Sequence, residues 1–186
     1  MKQKDKKNHL IVETIREIVF GLEDGLVSTL GAVTGIAAGA GNTFIVILSG
    51  LVLIAVEASS MAAGSYLSSK SAVAAEIVFK KAHKKSTVGI RVRPIRAAAV
   101  MGIFYFFGGF VPLSPYFFLP IKASYAPSII LTAVVLFLLG VWSAKYTKRS
   151  RVRSGIEMAT ISLAAALIGF VIGRVVSLYF GAELPM

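Results

Sequence analysis

The sequence predicts an all-α integral membrane protein with five transmembrane helices, preceded by an N-terminal amphipathic helix. Three observations predict this. Of the 186 residues, 56% are hydrophobic and the mean hydropathy is +0.78, which leaves too little polar surface for a water-soluble domain of this length. The apolar residues fall into five stretches. Basic clusters alternate with those stretches and flank one side of the membrane only.

The elements follow in order. Residues 1–8 form a basic tail, and 9–186 a single membrane domain. Residues 9–20 place Leu10, Ile11, Ile15, Ile18 and Val19 on one helical face and Glu13, Arg16 and Glu17 on another, the pattern of a helix lying at the membrane interface. The first apolar stretch, Gly25 to Ala40, is rich in Gly, Ala and Thr and ends at the turn signal Gly41-Asn42. The second runs from Thr43 to Leu67, the third from Ala97 to Val111 before Pro112, the fourth from Ser128 to Trp142, and the fifth from Met158 to Phe180. Several fall short of the ~20 residues a span needs, so those helices must recruit flanking residues. No short apolar region with a small-residue cleavage site follows the basic start, so the first stretch is expected to stay in the membrane.

Of the 20 Lys and Arg residues, 18 lie before the first span, in the basic loop of about 70–96, or between the fourth and fifth spans. Lys122 is on the other side, and Arg174 lies within the fifth span, to snorkel outward or pair with Glu183. The N-terminus is therefore expected inside and the C-terminus outside. The net charge of +11 is explained by this topology, and no nucleic-acid partner is expected. His83, in KKAHKKS, reads as solvated surface. The absence of cysteine excludes disulfides and thiolate metal sites. No nucleophile–base pair, phosphate loop or zinc signature points to catalysis.

Ionisable groups inside apolar helices are costly and mark function. Glu23 and Asp24 begin the first span, and Glu57 lies inside the second. If these spans fold as an antiparallel hairpin about Gly41-Asn42, residues whose numbers sum to about 83 share a depth. Asp24 is then level with Ser59, while Glu57 and Met61 are one helical turn apart. Asp24, Glu57 and Met61 converge roughly 26 Å from the turn at the helical rise. Carboxylates with a thioether suit Mn²⁺ and Fe²⁺ over Mg²⁺ and Ca²⁺, and a transported ion needs a site weak enough to leave. The plainer alternatives are packing for Met61, a protonated core acid or ion-pair partner for Glu57, and a helix N-cap for Asp24. Gly31, Gly35 and Gly39 are spaced for close helix approach, either within one subunit or at a dimer axis.

FGLEDGLVSTLGAVTGIAAGAG resembles the first span of the vacuolar iron transporter family, and SSMAAGSYLSSKS its second-span motif. RPIRAAAVMGIFYFFGGFVPLSPYFF is similar to its third span, and the later segments resemble the fourth and fifth, so the likeness covers roughly residues 9–180. The resemblance implies a homodimer that exports Fe²⁺ or Mn²⁺ from the cytosol by proton antiport, with the path between the first spans. The family's aspartate maps onto Asp24 and its methionine onto Met61. Several positions depart from the family pattern. Leu53 stands where members often carry Glu, Ser65 replaces the Glu of the second-span motif, and Glu23 stands where Asn or Arg is common. The Glu-rich metal-binding domain that many members insert between the second and third spans is replaced by a short basic loop whose one acid is Glu76.

The expectation is a metal and proton path through Asp24, Glu57, Met61 and Glu23, with no permanently bound cofactor. Its expected partners are the bilayer, the transported ion, protons and a second copy of the chain. The expected location is a prokaryotic plasma membrane. The alternative is a non-transporting membrane scaffold or regulator on the same fold.

Overall fold

The computed structural model describes residues 3–82, 93–147 and 149–180. His83, Lys84, Lys85, Arg91, Lys148 and Glu183 lie outside them. The described residues form five α-helices: α1 (Gln3–Ala40), α2 (Thr43–Ala82), α3 (Pro94–Leu113), α4 (Ile121–Thr147) and α5 (Arg151–Phe180), with a 3₁₀ turn at Ser114–Phe117. All five are long and apolar enough to cross a membrane.

Each helix exceeds its apolar stretch. At ~1.5 Å per residue, α1 and α2 are close to 60 Å long, about twice the hydrocarbon thickness. The segment read as an interfacial helix is continuous with the first span, without a break between Ile11 and Ala40. No proline or glycine pair interrupts residues 9–20, so nothing in the sequence turns the chain there. Prolines move two other boundaries. α3 carries Pro112 in its last turn, and α4 starts seven residues before Ser128, with Pro127 inside it. The Ser128 hydroxyl donates to the Pro112 carbonyl at 2.6 Å, tying the two proline-bearing turns together. The Ser124 hydroxyl serves the Leu119 and Pro120 carbonyls at 3.0 and 3.1 Å.

The α1–α2 turn follows its sequence signal. Gly41 adopts φ +60°, a left-handed conformation that terminates α1. The Asn42 side-chain oxygen then accepts from the N–H groups of Phe44 and Ile45 at 2.9 and 3.3 Å, capping α2.

Helix α1 is the centre of the bundle and packs most extensively on α3 and α5. Glycines set both approaches. On the α3 side, a Cβ on Gly21 would stand 2.7 Å from the Met101 carbonyl oxygen, and one on Gly108 2.8 Å from that of Leu22. On the α5 side, Gly31, Gly35 and Gly39 meet the backbones of Ala165, Gly169 and Gly173. Between these contacts lie two apolar cores. Val33, Ala37, Val46, Ile54, Leu113 and Tyr116 form one, toward the Gly41 end. Leu26, Leu136 and Leu139 join α1 to α4 in the other. Large apolar side chains such as Val52, Leu138, Leu167 and Leu178 are exposed, as expected where lipid rather than water is the solvent.

Candidate ion path

The hairpin register read from the sequence holds. The Ser65 hydroxyl on α2 donates to Glu17 Oε2 on α1 at 3.0 Å, a pair whose numbers sum to 82. About two turns further along, the carboxylates of Asp24 and Glu57 lie within electrostatic reach of each other. Glu23, adjacent to Asp24, is coupled to it as well. All three acids are partly buried, and none forms a salt bridge among the described residues. Among the described residues Glu57 thus has no ion-pair partner. Asp24 is deep within α1, so it is not an N-cap.

A short hydroxyl relay adjoins Asp24. The Ser28 hydroxyl donates to the Asp24 carbonyl at 2.5 Å and lies 2.7 Å from the Tyr105 hydroxyl. Ser28 has one hydroxyl proton and that proton is committed, so Tyr105 is the donor to Ser28. Tyr105 is fully buried, and its ring lies on α3 where Gly25 lets α1 approach the Tyr105 backbone. Tyr105 therefore belongs to the acid cluster, within electrostatic reach of both Asp24 and Glu57. Nothing in the sequence identified it, because its position follows from α1–α3 packing.

Met61 lines a cavity of about 540 Å³ nearer the basic end of the bundle, together with Glu17, Ser60, Ser65 and Met101. Glu17 is a correction to the sequence reading, which put it on the polar face of an interfacial helix. It is 3% exposed, held between Ser65 and the Arg16 guanidinium, which donates to Oε1 at 2.8 Å. The reason is α2, which extends far enough beyond the apolar core to cover that face of α1. The signal available in the sequence was spacing. Glu17 precedes Asp24 by seven residues, which places both on one side of α1 about 10 Å apart along the axis.

Glu17, Glu23 and Asp24 are spread along α1, and Glu57 and Met61 lie on α2. Among the described residues, no three His, Cys, Asp or Glu side chains converge on a point. Beyond Asp24, the same side of α1 continues through Ser28, Gly31 and Gly35 into an open apolar groove of about 730 Å³ between α1 and α5. Gly31, Gly35 and Gly39 line this groove and contact α5 of the same chain, which gives them a packing role within one subunit. Arg174 on α5 is exposed and lies within electrostatic reach of Tyr125.

Comparison with known proteins adds a family. The chain is 30% identical over 170 residues to an uncharacterized protein of Methanocaldococcus jannaschii, covering 86% of this chain and 88% of that one. It is 25% identical to vacuolar iron transporter 1 of Arabidopsis thaliana, over 92% of this chain and 89% of the relative. Against vacuolar iron transporter 1 of Eucalyptus grandis it is 24% identical, over 88% and 87%. The two plant alignments run to 223 and 216 positions, longer than this chain of 186 residues, so the plant proteins carry inserted sequence. The VIT family model matches in two segments, residues 15–87 and 73–174. The two segments overlap at residues 73–87, across the end of α2. With that match extending over most of its length, the chain belongs to the VIT family.

Proposed function

We propose that this protein carries divalent iron or manganese across the membrane, out of the cytosol, in exchange for protons. Its membership of a family that includes vacuolar iron transporters supports metal ion transport. The observation that carries the rest of the reading is the electrostatically coupled pair Asp24 and Glu57, neither neutralised by a salt bridge among the described residues. Two unpaired carboxylates inside apolar helices are expensive unless a cation or a proton occupies them. A metal ion and protons then compete for the same oxygens, which is the requirement for exchange. Glu23 adds a third carboxylate beside Asp24.

In this reading the ion enters at the basic end, where Glu17 and Met61 line one cavity, and passes to Asp24 and Glu57. The Met61 thioether favours the softer cations of the divalent series. The described residues of a single chain offer too few converging donors to strip a hydrated ion, and α1 borders an open groove. Both features support a homodimer in which two copies of α1 face each other and both Asp24 carboxylates serve one path. The charge distribution supports a cytoplasmic N-terminus, and the likeness to a protein of Methanocaldococcus jannaschii supports a prokaryotic plasma membrane.

The test is Mn²⁺ and Fe²⁺ flux into proteoliposomes under an imposed proton gradient. Wild type should show gradient-driven flux, and Asp24→Asn and Glu57→Gln should each lose most of it. Flux in folded wild type that ignores the gradient would refute exchange. Unchanged flux in both variants would refute the site. No flux at all would favour a scaffold that retains the fold.

A further inference from the structure

A second cavity lies at the basic end, adjoining the Glu17–Met61 cavity and sharing Arg16, Glu17, Ser68 and Ser69 with it. It measures about 140 Å³ and opens between α1, α2 and the start of α3. Arg93 and Arg96 line it from α3, Arg16 from α1, and Ser68 and Ser69 from α2. Arg16 is engaged with Glu17, but Arg93 and Arg96 form no salt bridge among the described residues. Ser69 is 7% exposed, so its hydroxyl is built into the wall rather than displayed on the surface. Glu13 and Glu17 on the α1 wall bias an incoming anion toward the α3 side.

We propose that this cavity holds the phosphate group of an acidic phospholipid from the leaflet at the basic end. Two guanidinium groups matched by hydroxyl donors are the chemistry of phosphate recognition. The cavity has room for one phosphate group. A lipid is the better source than a soluble anion because of Ile95, which lies between the two arginines in sequence and is 77% exposed. Cationic and apolar side chains are thus presented together where the span of α3 begins, as at a boundary between headgroups and acyl chains. The site shares its α1 and α2 walls with the proposed entry cavity, but the two arginines that would hold the phosphate, Arg93 and Arg96, take no part in the ion path, so the inference stands apart from the transport reading.

Native mass spectrometry of the purified full chain tests this. The protein is exchanged into mixed micelles of phosphatidylglycerol and phosphatidylcholine, and retained lipid is counted. Wild type should retain phosphatidylglycerol preferentially. Each arginine near an anionic headgroup contributes roughly 5-fold, so R93Q/R96Q should lose up to about 30-fold of that preference. R151Q/R153Q, which removes the same charge elsewhere at this end, should keep it. R96Q alone carries the same test at about 5-fold if the double variant is not recovered folded. Inorganic phosphate that binds with the same arginine dependence, while no lipid is retained, would move the source to a soluble anion and keep the phosphate chemistry. Equal retention of both lipids without phosphate binding, or equal losses in the two double variants, would overturn the proposal.

Discussion

Two glycine-to-alanine substitutions on this scaffold should have opposite consequences, and the difference can be worked from the packing. Gly35 sits at the centre of the α1–α5 contact. A Cβ there would stand 2.7 Å from the Gly169 carbonyl oxygen and 3.1 and 3.3 Å from its carbonyl carbon and Cα. All three atoms are backbone and cannot rotate away. α1 and α5 would have to separate by more than half an ångström to restore ordinary contact of ~3.4 Å, loosening the Gly31 and Gly39 contacts with them. Forced overpacking of this kind costs ~1–3 kcal/mol. Gly64, on α2, has nothing within 4 Å of the same added atom. Both substitutions gain helix propensity of up to ~1 kcal/mol, so that gain cancels when the variants are compared. Gly35→Ala should therefore unfold more readily than Gly64→Ala by ~1–3 kcal/mol, with Gly64→Ala as stable as wild type or more so. The assay is reversible unfolding in mixed detergent and SDS, monitored by circular dichroism. Equal midpoints for the two variants would refute the close α1–α5 packing, and with it the account of the Gly31, Gly35 and Gly39 spacing.

Three further expectations concern single side chains. Asn42→Ala removes the acceptor for two N–H groups at the start of α2 and should cost ~1 kcal/mol in the same assay, without changing metal selectivity. Tyr105→Phe removes the donor to Ser28. It should cost ~1 kcal/mol of stability and slow flux less than Asp24→Asn does, since the hydroxyl supports the Asp24 segment and is not itself a carboxylate ligand. Ser65→Ala leaves the buried Glu17 carboxylate without its α2 donor and should destabilise by ~1–3 kcal/mol. Glu17→Gln keeps the shape and a polar contact, so reduced metal entry at near-normal stability would separate a role on the path from a structural one.

Much of this molecule is legible from local chemistry. Apolar runs long enough to cross a bilayer can satisfy their backbones only as helices or closed barrels, and helical lengths with basic clusters on one side fixed five spans and their alternation. The Gly41-Asn42 turn was readable because a left-handed glycine followed by an N-capping asparagine is a local event. The α1–α2 register then followed by counting, and the Glu17–Ser65 and Asp24–Glu57 proximities agree with it. Family membership was also legible, from the DGLVS segment and the second-span motif.

What the sequence did not determine was which helices are neighbours. The partners of a glycine stripe depend on where other helices lie around α1, and only the tertiary structure decided that Gly21 and Gly25 face α3 while Gly31, Gly35 and Gly39 face α5. Helical periodicity assigned Glu17 to a polar face because it registers a residue's own helix and not the length of the next one; α2, reaching beyond the apolar core, covers that face. Tyr105 joined the acid cluster for the same reason. Hydropathy and spacing act along one chain segment, whereas burial of a particular side chain is set by helices distant in sequence that glycine contacts bring within a few ångströms.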